Sequence, residues 1–321
     1  MALLDAVRTA CAQVAARARF VHIIPDRLEA LAIELGQQLP DSQIFDPAHH
    51  QMKTPDETLA FVVTLDAVNF GSGWFPYLAK RPGCSGYLTL AGALRERFEQ
   101  QGPLHASELQ RMSAQACGEL FGQSLEPPLD ALMEHFAQAW RDLGAFLESR
   151  FGGDFAALVE AADGQVERMI ELLTQMPMYR DEAHYEGQRI PFYKRAQITC
   201  ADLALAFEGQ GPGDFRDLDR LTLFADNLVP HVLRFEGVLL YAPELLERIE
   251  AEELIPAGSP EEVEMRAVAV HAVEQMVGVV DRDTQRSQSV NAQQLDALLW
   301  NRGQSPHIKA EPRHRTRSIY Y

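Results

Sequence analysis

Apolar positions return at helical spacing along most of the chain. Over 129–150, Leu129, Leu132, Met133, Phe136, Trp140, Leu143, Phe146 and Leu147 recur every three or four residues, which predicts a helix ending before Gly152-Gly153. Residues 87–100 set Leu88, Ala91 and Leu94 on one face and place Arg95, Arg97 and Glu99 mainly elsewhere. A further helical stretch covers 155–176, with a break at Gly164 and a stop at Pro177. Ser107 with Gln110 reads as a capping box. Helices are also expected to begin near Thr199 (with Asp202 at its third position), Ser259-Pro260 (with Glu262) and Asn291 (with Gln294). In each, a polar side chain meets backbone N–H groups that have no partner within the helix. The first twenty residues read as an amphipathic helix.

Strand signals are few. Residues 183–197 predict a short hairpin turning at Glu186-Gly187, and 61–70 suits a strand at its β-branched start and a helix beyond it. The stretch GQGPGD, 209–214, reads as a connector. The expected architecture is mainly α, one domain spanning 1–321, with at most a small β-hairpin and room for two lobes.

Charge narrows the function classes. The chain has 46 Asp+Glu against 29 Lys+Arg, a formal net charge of −17. That balance repels a long polyanion or an anionic membrane surface, so neither long nucleic acid nor membrane is an expected partner. No apolar run approaches the ~18 residues of a membrane span, and the N-terminus lacks the apolar centre of a secretory signal. The four cysteines (Cys11, Cys84, Cys117, Cys200) show no CxxC spacing, and the ten histidines form no HxH or HExxH pattern. Reduced, mostly buried thiols in a cytoplasmic protein are expected, with no metal and no cofactor signalled.

Three segments can carry chemistry. From Arg302 to Arg317 five Lys/Arg and two His stand against one acid, Glu311, and this reads equally as a phosphate grip or a solvated basic tail. The tail's last residues, Ile319, Tyr320 and Tyr321, look docked. Residues 66–87 bring Gly71, Gly73, Gly83 and Gly86 together with Trp74, Phe75 and Tyr77, as a nucleobase pocket or an aromatic core loop would. Third, Lys194 and Asp226 stand out. Asp226 lies in an apolar run (Leu221, Leu223, Phe224, Leu228, Val229), where a carboxylate is costly unless paired, capping a helix or functional. Asp202 is assigned to capping.

The chain resembles the queuosine salvage family through seven ordered blocks: TLDAVNFGSGWFP (64–76), PGCSGY (82–87), PFYKRAQITCADL (191–203), LTLFADNLVPHVLRFEGVL (221–239), EEVEMRAVAV (261–270), LDALLWNRGQ (295–304) and PRHRTRSIYY (312–321). The resemblance implies hydrolysis of the N-glycosidic bond of queuosine 5′-monophosphate. It also implies a helical fold similar to the helix-hairpin-helix DNA glycosylases. By motif match it places catalysis on Lys194 and Asp226, and recognition on His49 or His50, Phe70, Trp74, Phe192, Tyr193, Asn227, His231 and the C-terminal block. Glu264 or Asp296, otherwise solvated helix positions, would meet the donor edge of the base. Arg313, Arg315 and Arg317, or Lys194 and Arg195, would meet the phosphate. Where the family block is expected to read closer to FADYRVPQ, this chain has FADNLVPH. Two rival readings follow. One is a DNA-repair glycosylase, which the net charge opposes, and the other is a non-catalytic module binding modified nucleosides or tRNA.

Overall fold

Thr54 accepts the backbone N–H of Glu57 at 3.2 Å, Pro55 occupies the first helical position, and Asp56 and Glu57 complete an acidic first turn. That start commits the ambiguous 61–70 segment to a helix, in which every residue from Thr58 to Ala67 is buried. A helix enclosed on all sides leaves no one-sided apolar period, and its β-branched residues then imitate a strand.

The computed structural model describes residues 2–39, 50–282 and 289–321. In chain order the elements are α1 (Leu3–Ala15), β1 (Val21–Ile23), α2 (Pro25–Gln38), α3 (Pro55–Ala67), α4 (Gly86–Gln101), α5 (Ala106–Leu109), α6 (Ala114–Phe121), α7 (Leu129–Phe151), α8 (Phe155–Glu160), α9 (Val166–Leu173), β2 (Glu182–Tyr185), β3 (Gln188–Pro191), α10 (Lys194–Ala206), α11 (Leu228–Phe235), β4 (Leu239–Tyr241), α12 (Pro243–Glu250), α13 (Pro260–Val280), α14 (Ala292–Arg302) and α15 (Pro306–Ala310). The chain is mainly α, as expected. Among the described residues no helix is long and apolar enough to cross a membrane.

The chain divides into two units. The first comprises Met1–Asp46, Glu182–Lys194 and Asp219–Arg317. Its axis is α13, capped by Ser259 as the sequence predicts and buried without a break from Glu262 to Val270. Helices α1, α2, α11 and α14 pack on it. Strand β1 pairs antiparallel with β4, Val21 facing Tyr241, and β2 pairs with β3. The β2–β3 tip falls at the expected Glu186-Gly187, with φ of 49° and 80°, and two successive positive φ angles suit a tight hairpin turn.

The second unit comprises Pro47–Asp181, Arg195–Leu218 and Ser318–Tyr321, and α7 is its spine. Trp140 is wholly buried there, donates its indole N–H to the Thr64 carbonyl at 2.9 Å and stacks on Phe121 at 5.4 Å. Gly144 lets α5 approach closely, because a Cβ at that position would sit 2.5 Å from the Ala106 carbonyl oxygen. Helix α7 ends at Gly152, and α8 and α9 are separated by a turn through Gly164 at φ 60°.

Two expected helix starts are corrected. Ser107 lies inside α5, where the Glu108 carboxylate takes the His105 N–H at 3.1 Å and so supplies the cap two residues earlier. Helix α10 begins at Lys194, five residues ahead of the expected start. The Thr199 hydroxyl donates back to the Arg195 carbonyl at 2.9 Å within the helix and caps nothing.

Candidate active site

Asp226 lies two residues before α11 and is half-buried. Its Oδ1 accepts the N–H groups of Leu228 at 2.8 Å and Val229 at 3.2 Å, so one oxygen caps the helix. Its Oδ2 takes no hydrogen bond from the described residues. The carboxylate is therefore anchored by one oxygen and open at the other. The backbone ahead of it is fixed twice. The Phe224 N–H donates to Asp296 at 3.1 Å, and the Ala225 carbonyl accepts Arg266 Nε–H at 2.9 Å. Arg266 is itself buried, over the Phe192 ring at 3.9 Å and 3.6 Å from Glu262. Asn227 is buried at the start of α11, without a side-chain cap.

Lys194 is the first residue of α10 and is 5 % exposed. It follows Tyr193, whose φ of 53° is uncommon for an aromatic residue and turns the chain out of β3 into the helix. The Tyr193 hydroxyl donates to Glu182 at 2.8 Å. Lys194, Tyr193, Asp226 and Arg313 all belong to the first unit. Burial lowers the Arg313 guanidinium below its ordinary value, and the negative Asp226 nearby opposes that.

Other sequence candidates in this unit are held by the protein itself. Glu264, expected at the donor edge of the base or at a solvated helix position, is wholly buried, as Asp296 nearly is. Glu264 Oε2 accepts the N–H groups of Arg19, Phe20 and Val21 at 3.0, 2.6 and 3.2 Å, and Oε1 accepts the Tyr185 hydroxyl at 2.8 Å. His231 is buried between the Ile308 carbonyl at 3.0 Å and Arg234 at 3.3 Å, and burial is the first cause that takes it down to about 4. Arg315 pairs with Glu252 at 2.8 Å on the surface. His314, which the sequence reading passed over, is buried with neither ring nitrogen bonded among the described residues. Burial, then the positive charges of Arg313, His231, Arg234 and Arg266, bring it to about 3. The adjacent Thr316 hydroxyl is likewise buried.

In the second unit Arg195 serves the fold. Its guanidinium donates to the carbonyls of Ala67 and Met178, and to that of Ile319 at 3.0 Å, and lies between the rings of Phe70 and Tyr179 at 4.6 and 4.7 Å. The chain's last residues are docked here, the Gly71 N–H meeting the Tyr321 carbonyl at 2.8 Å. Phe70 and Trp74 are buried, edge-on to Phe136 and His135. His49 lies outside the described residues. His50 is buried and meets Asp202 at 3.3 Å, which corrects the capping assigned to Asp202. Asp66 also belongs to this cluster and is wholly buried. The argument applied to Asp226, a carboxylate inside an apolar run, points to Asp66 equally well. A surface cleft of about 450 Å³, lined by Leu59, Val159, Pro212, Phe215 and Arg216 among others, includes none of the candidate residues.

Residues 48–321 match the model of a family described as "Queuosine salvage protein". A protein of Sphaerobacter thermophilus named queuosine 5′-phosphate N-glycosylase/hydrolase is 35% identical over 320 residues, covering 98% of this chain and 97% of its own length. A protein of that name from Mus musculus is 33% identical over 83% of this chain and 82% of its own length. One from Schizosaccharomyces pombe is 29% identical over 89% of each.

Proposed function

The chain belongs to the queuosine salvage protein family, and from that premise we propose that it hydrolyses queuosine 5′-monophosphate to queuine and ribose 5-phosphate. The base is thereby recovered for tRNA modification, in the cytoplasm. The observation that carries this reading is the 35% identity to a named hydrolase across nearly the whole of both chains. The half-anchored Asp226 supports it.

Breaking the C1′–N9 bond leaves positive charge on the ribose, and the bonding electrons depart with the base. A carboxylate with one oxygen fixed by two backbone N–H groups holds the other in one direction, which suits stabilisation of that charge. The open oxygen, Oδ2, meets the ribose at C1′. Water adds its oxygen there, either with Oδ2 taking its proton or after Oδ2 has itself bonded C1′. The proton finally resides on the departing base nitrogen. Lys194 assists from the start of α10, and Arg313 with Arg317 meets the 5′-phosphate, Arg315 being turned to Glu252. Phe192 and Tyr193 contribute flat surface beside this site.

The test is direct. Purified protein incubated with queuosine 5′-monophosphate is expected to release queuine on chromatography, and no release refutes the activity. An Asp226→Asn variant keeps an acceptor for the Leu228 and Val229 N–H groups, so it should fold while kcat falls roughly 10²- to 10³-fold. Undiminished release by that variant refutes the assignment of Asp226.

A further inference from the structure

Residues 221–225 form neither helix nor strand, yet every one of them is buried. A buried stretch without a ladder has to find partners for its backbone in side chains. Three charged side chains of the first unit meet it. Arg8 of α1 donates to the carbonyls of Arg220 and Leu221 at 2.7 and 3.4 Å, and is held in turn by Glu274 of α13 at 3.0 Å. Asp296 of α14 accepts the Phe224 N–H at 3.1 Å, and Arg266 of α13 donates its Nε–H to the Ala225 carbonyl at 2.9 Å. The last bond stands nearest the chemistry. The Ala225 carbonyl shares its planar peptide with the Asp226 N–H, so what fixes that oxygen fixes the start of Asp226.

Arg266 is occupied on two further sides. Its guanidinium carbon lies 3.9 Å from the centre of the Phe192 ring, and its Nη1 lies 3.6 Å from Glu262 Oε1. Phe192 precedes Lys194 by two residues, across the turn that Tyr193 makes at φ 53°. Glu262 is itself tied down, its Oε2 accepting the Gly258 N–H at 3.0 Å and its own N–H donating to the Ser259 hydroxyl at 3.3 Å. Arg266, Glu262 and Phe192 are each at most 2 % exposed. A buried ion pair adds little net stability over well-packed apolar side chains of similar volume, because desolvation offsets the attraction. What a planar guanidinium supplies here is direction. One group, by its edge and its face, reaches both segments that carry the candidate catalytic residues.

We propose that Arg266 is a positioning residue of the hydrolysis, holding the Asp226 segment and the Lys194 segment in one register from the interior of α13. The proposal rests on the hydrolase reading and on the assignment of Asp226 and Lys194 within it. Arg266 touches no reacting atom in that scheme. Its bond to Ala225 sets the direction from which Oδ2 faces C1′, and its stacking on Phe192 sets where Lys194 stands. A displacement of about 1 Å at either group is enough to lower the rate roughly 10²-fold.

The test is a double-variant cycle on the full chain with queuosine 5′-monophosphate. Arg266→Lys keeps a cation for Glu262 and Phe192 but loses the Nε–H donor. Its kcat should fall about 10- to 100-fold while KM stays within about threefold of wild type. Positioning acts through Asp226. Once Asp226→Asn has removed the carboxylate charge, adding Arg266→Lys should therefore lower kcat by less than about threefold further. A side chain that serves only the fold predicts the opposite, the two losses multiplying. Circular dichroism at the assay temperature checks that each variant is folded, and if Arg266→Lys is not, Glu262→Gln decides. That milder variant keeps an acceptor for the Gly258 N–H while releasing the guanidinium from its charge partner. It should lower kcat about three- to tenfold at unchanged KM, and have less effect beside Asp226→Asn than alone. Wild-type kcat in folded Arg266→Lys, a loss carried by KM, or losses that multiply overturn the proposal. A wild type that leaves the nucleotide intact is a different failure, which removes the hydrolase reading and this proposal with it.

Discussion

Glu264 separates a structural carboxylate from a substrate-reading one. Its Oε2 receives three backbone N–H groups and its Oε1 the Tyr185 hydroxyl, and the carboxylate itself is wholly buried. Tyr185 is correspondingly pushed up to about 12, first by burial and then by its hydrogen bond to Glu264 and that carboxylate's charge. Glu264→Gln preserves shape and one acceptor oxygen but converts three charge-assisted bonds into neutral ones. At about 1 kcal/mol lost per bond, the expected cost is ~3 kcal/mol. Unfolding entropy of ~2.1 cal/mol/K per residue over 321 residues turns that into a fall in Tm of roughly 4–5 °C. Differential scanning calorimetry reads the shift, and steady-state kinetics on queuosine 5′-monophosphate should give a KM within about twofold of wild type. An unchanged Tm with a KM raised tenfold would refute this reasoning and restore Glu264 to the base.

Arg195→Lys keeps a charge but cannot fork to the carbonyls of Ala67, Met178 and Ile319, so guanidinium denaturation should show a loss of about 2–4 kcal/mol. Full stability with lost phosphate affinity would return Arg195 to the substrate. Native thiol titration should label Cys84 quickly and leave Cys11, Cys117 and Cys200 slow. These three are buried, and burial pushes Cys117 up to about 12. A second fast thiol would contradict their burial. His231 and His314, at about 4 and about 3, are neutral in the folded protein where the unfolded chain protonates near 6.5. The unfolded state then binds more protons between pH 6.5 and 4, so this pair makes stability rise with pH and fall on acidification. The slope is at most about 2.7 kcal/mol per pH unit around pH 5, and a denaturation midpoint unchanged from pH 7 to pH 5 would contradict it.

Local signals carried most helix boundaries. Ser259, Asn291 and Gly152 stop or start helices where their chemistry says, and the Glu186-Gly187 turn needs nothing beyond two positive φ angles. What failed was local chemistry overruled from a distance. Thr199 has the composition of a cap, but the turn at Tyr193 starts α10 earlier and leaves that hydroxyl inside the helix. Asp202 looked like a third-position acid of the same cap. Its partner, His50, stands 152 residues away in the chain, beyond the reach of any spacing rule. By sequence, Glu264 and Asp296 read either as partners of the base or as solvated helix positions, yet Glu264 lies in the stretch of α13 buried without a break from Glu262 to Val270, and Asp296 is buried on α14 against the Phe224 N–H. Asp226 was accessible to reasoning because its cost in an apolar run is a one-dimensional signal. Which of its oxygens caps α11 required the fold.

The basic run from Arg302 to Arg317 shows what an average charge conceals twice over. Against a net −17 it reads as a local cationic patch. In the folded first unit much of that patch is already neutralised: Arg302 pairs with Glu34 at 2.8 Å and Glu236 at 2.6 Å, and Arg315 pairs with Glu252. Arg313 differs, because the negative charge that acts on it is Asp226, the carboxylate with an open oxygen. A duplex-binding surface needs several uncommitted cations in a row, each meeting one phosphate. A cation beside a half-anchored carboxylate suits, in the proposed reading, a different ligand: one small anion attached to the group on which that carboxylate would act. The net negative charge and the committed arginines both disfavour a polynucleotide on electrostatic grounds, and the proposed substrate, a single phosphate adjacent to a reacting ribose, would use both residues.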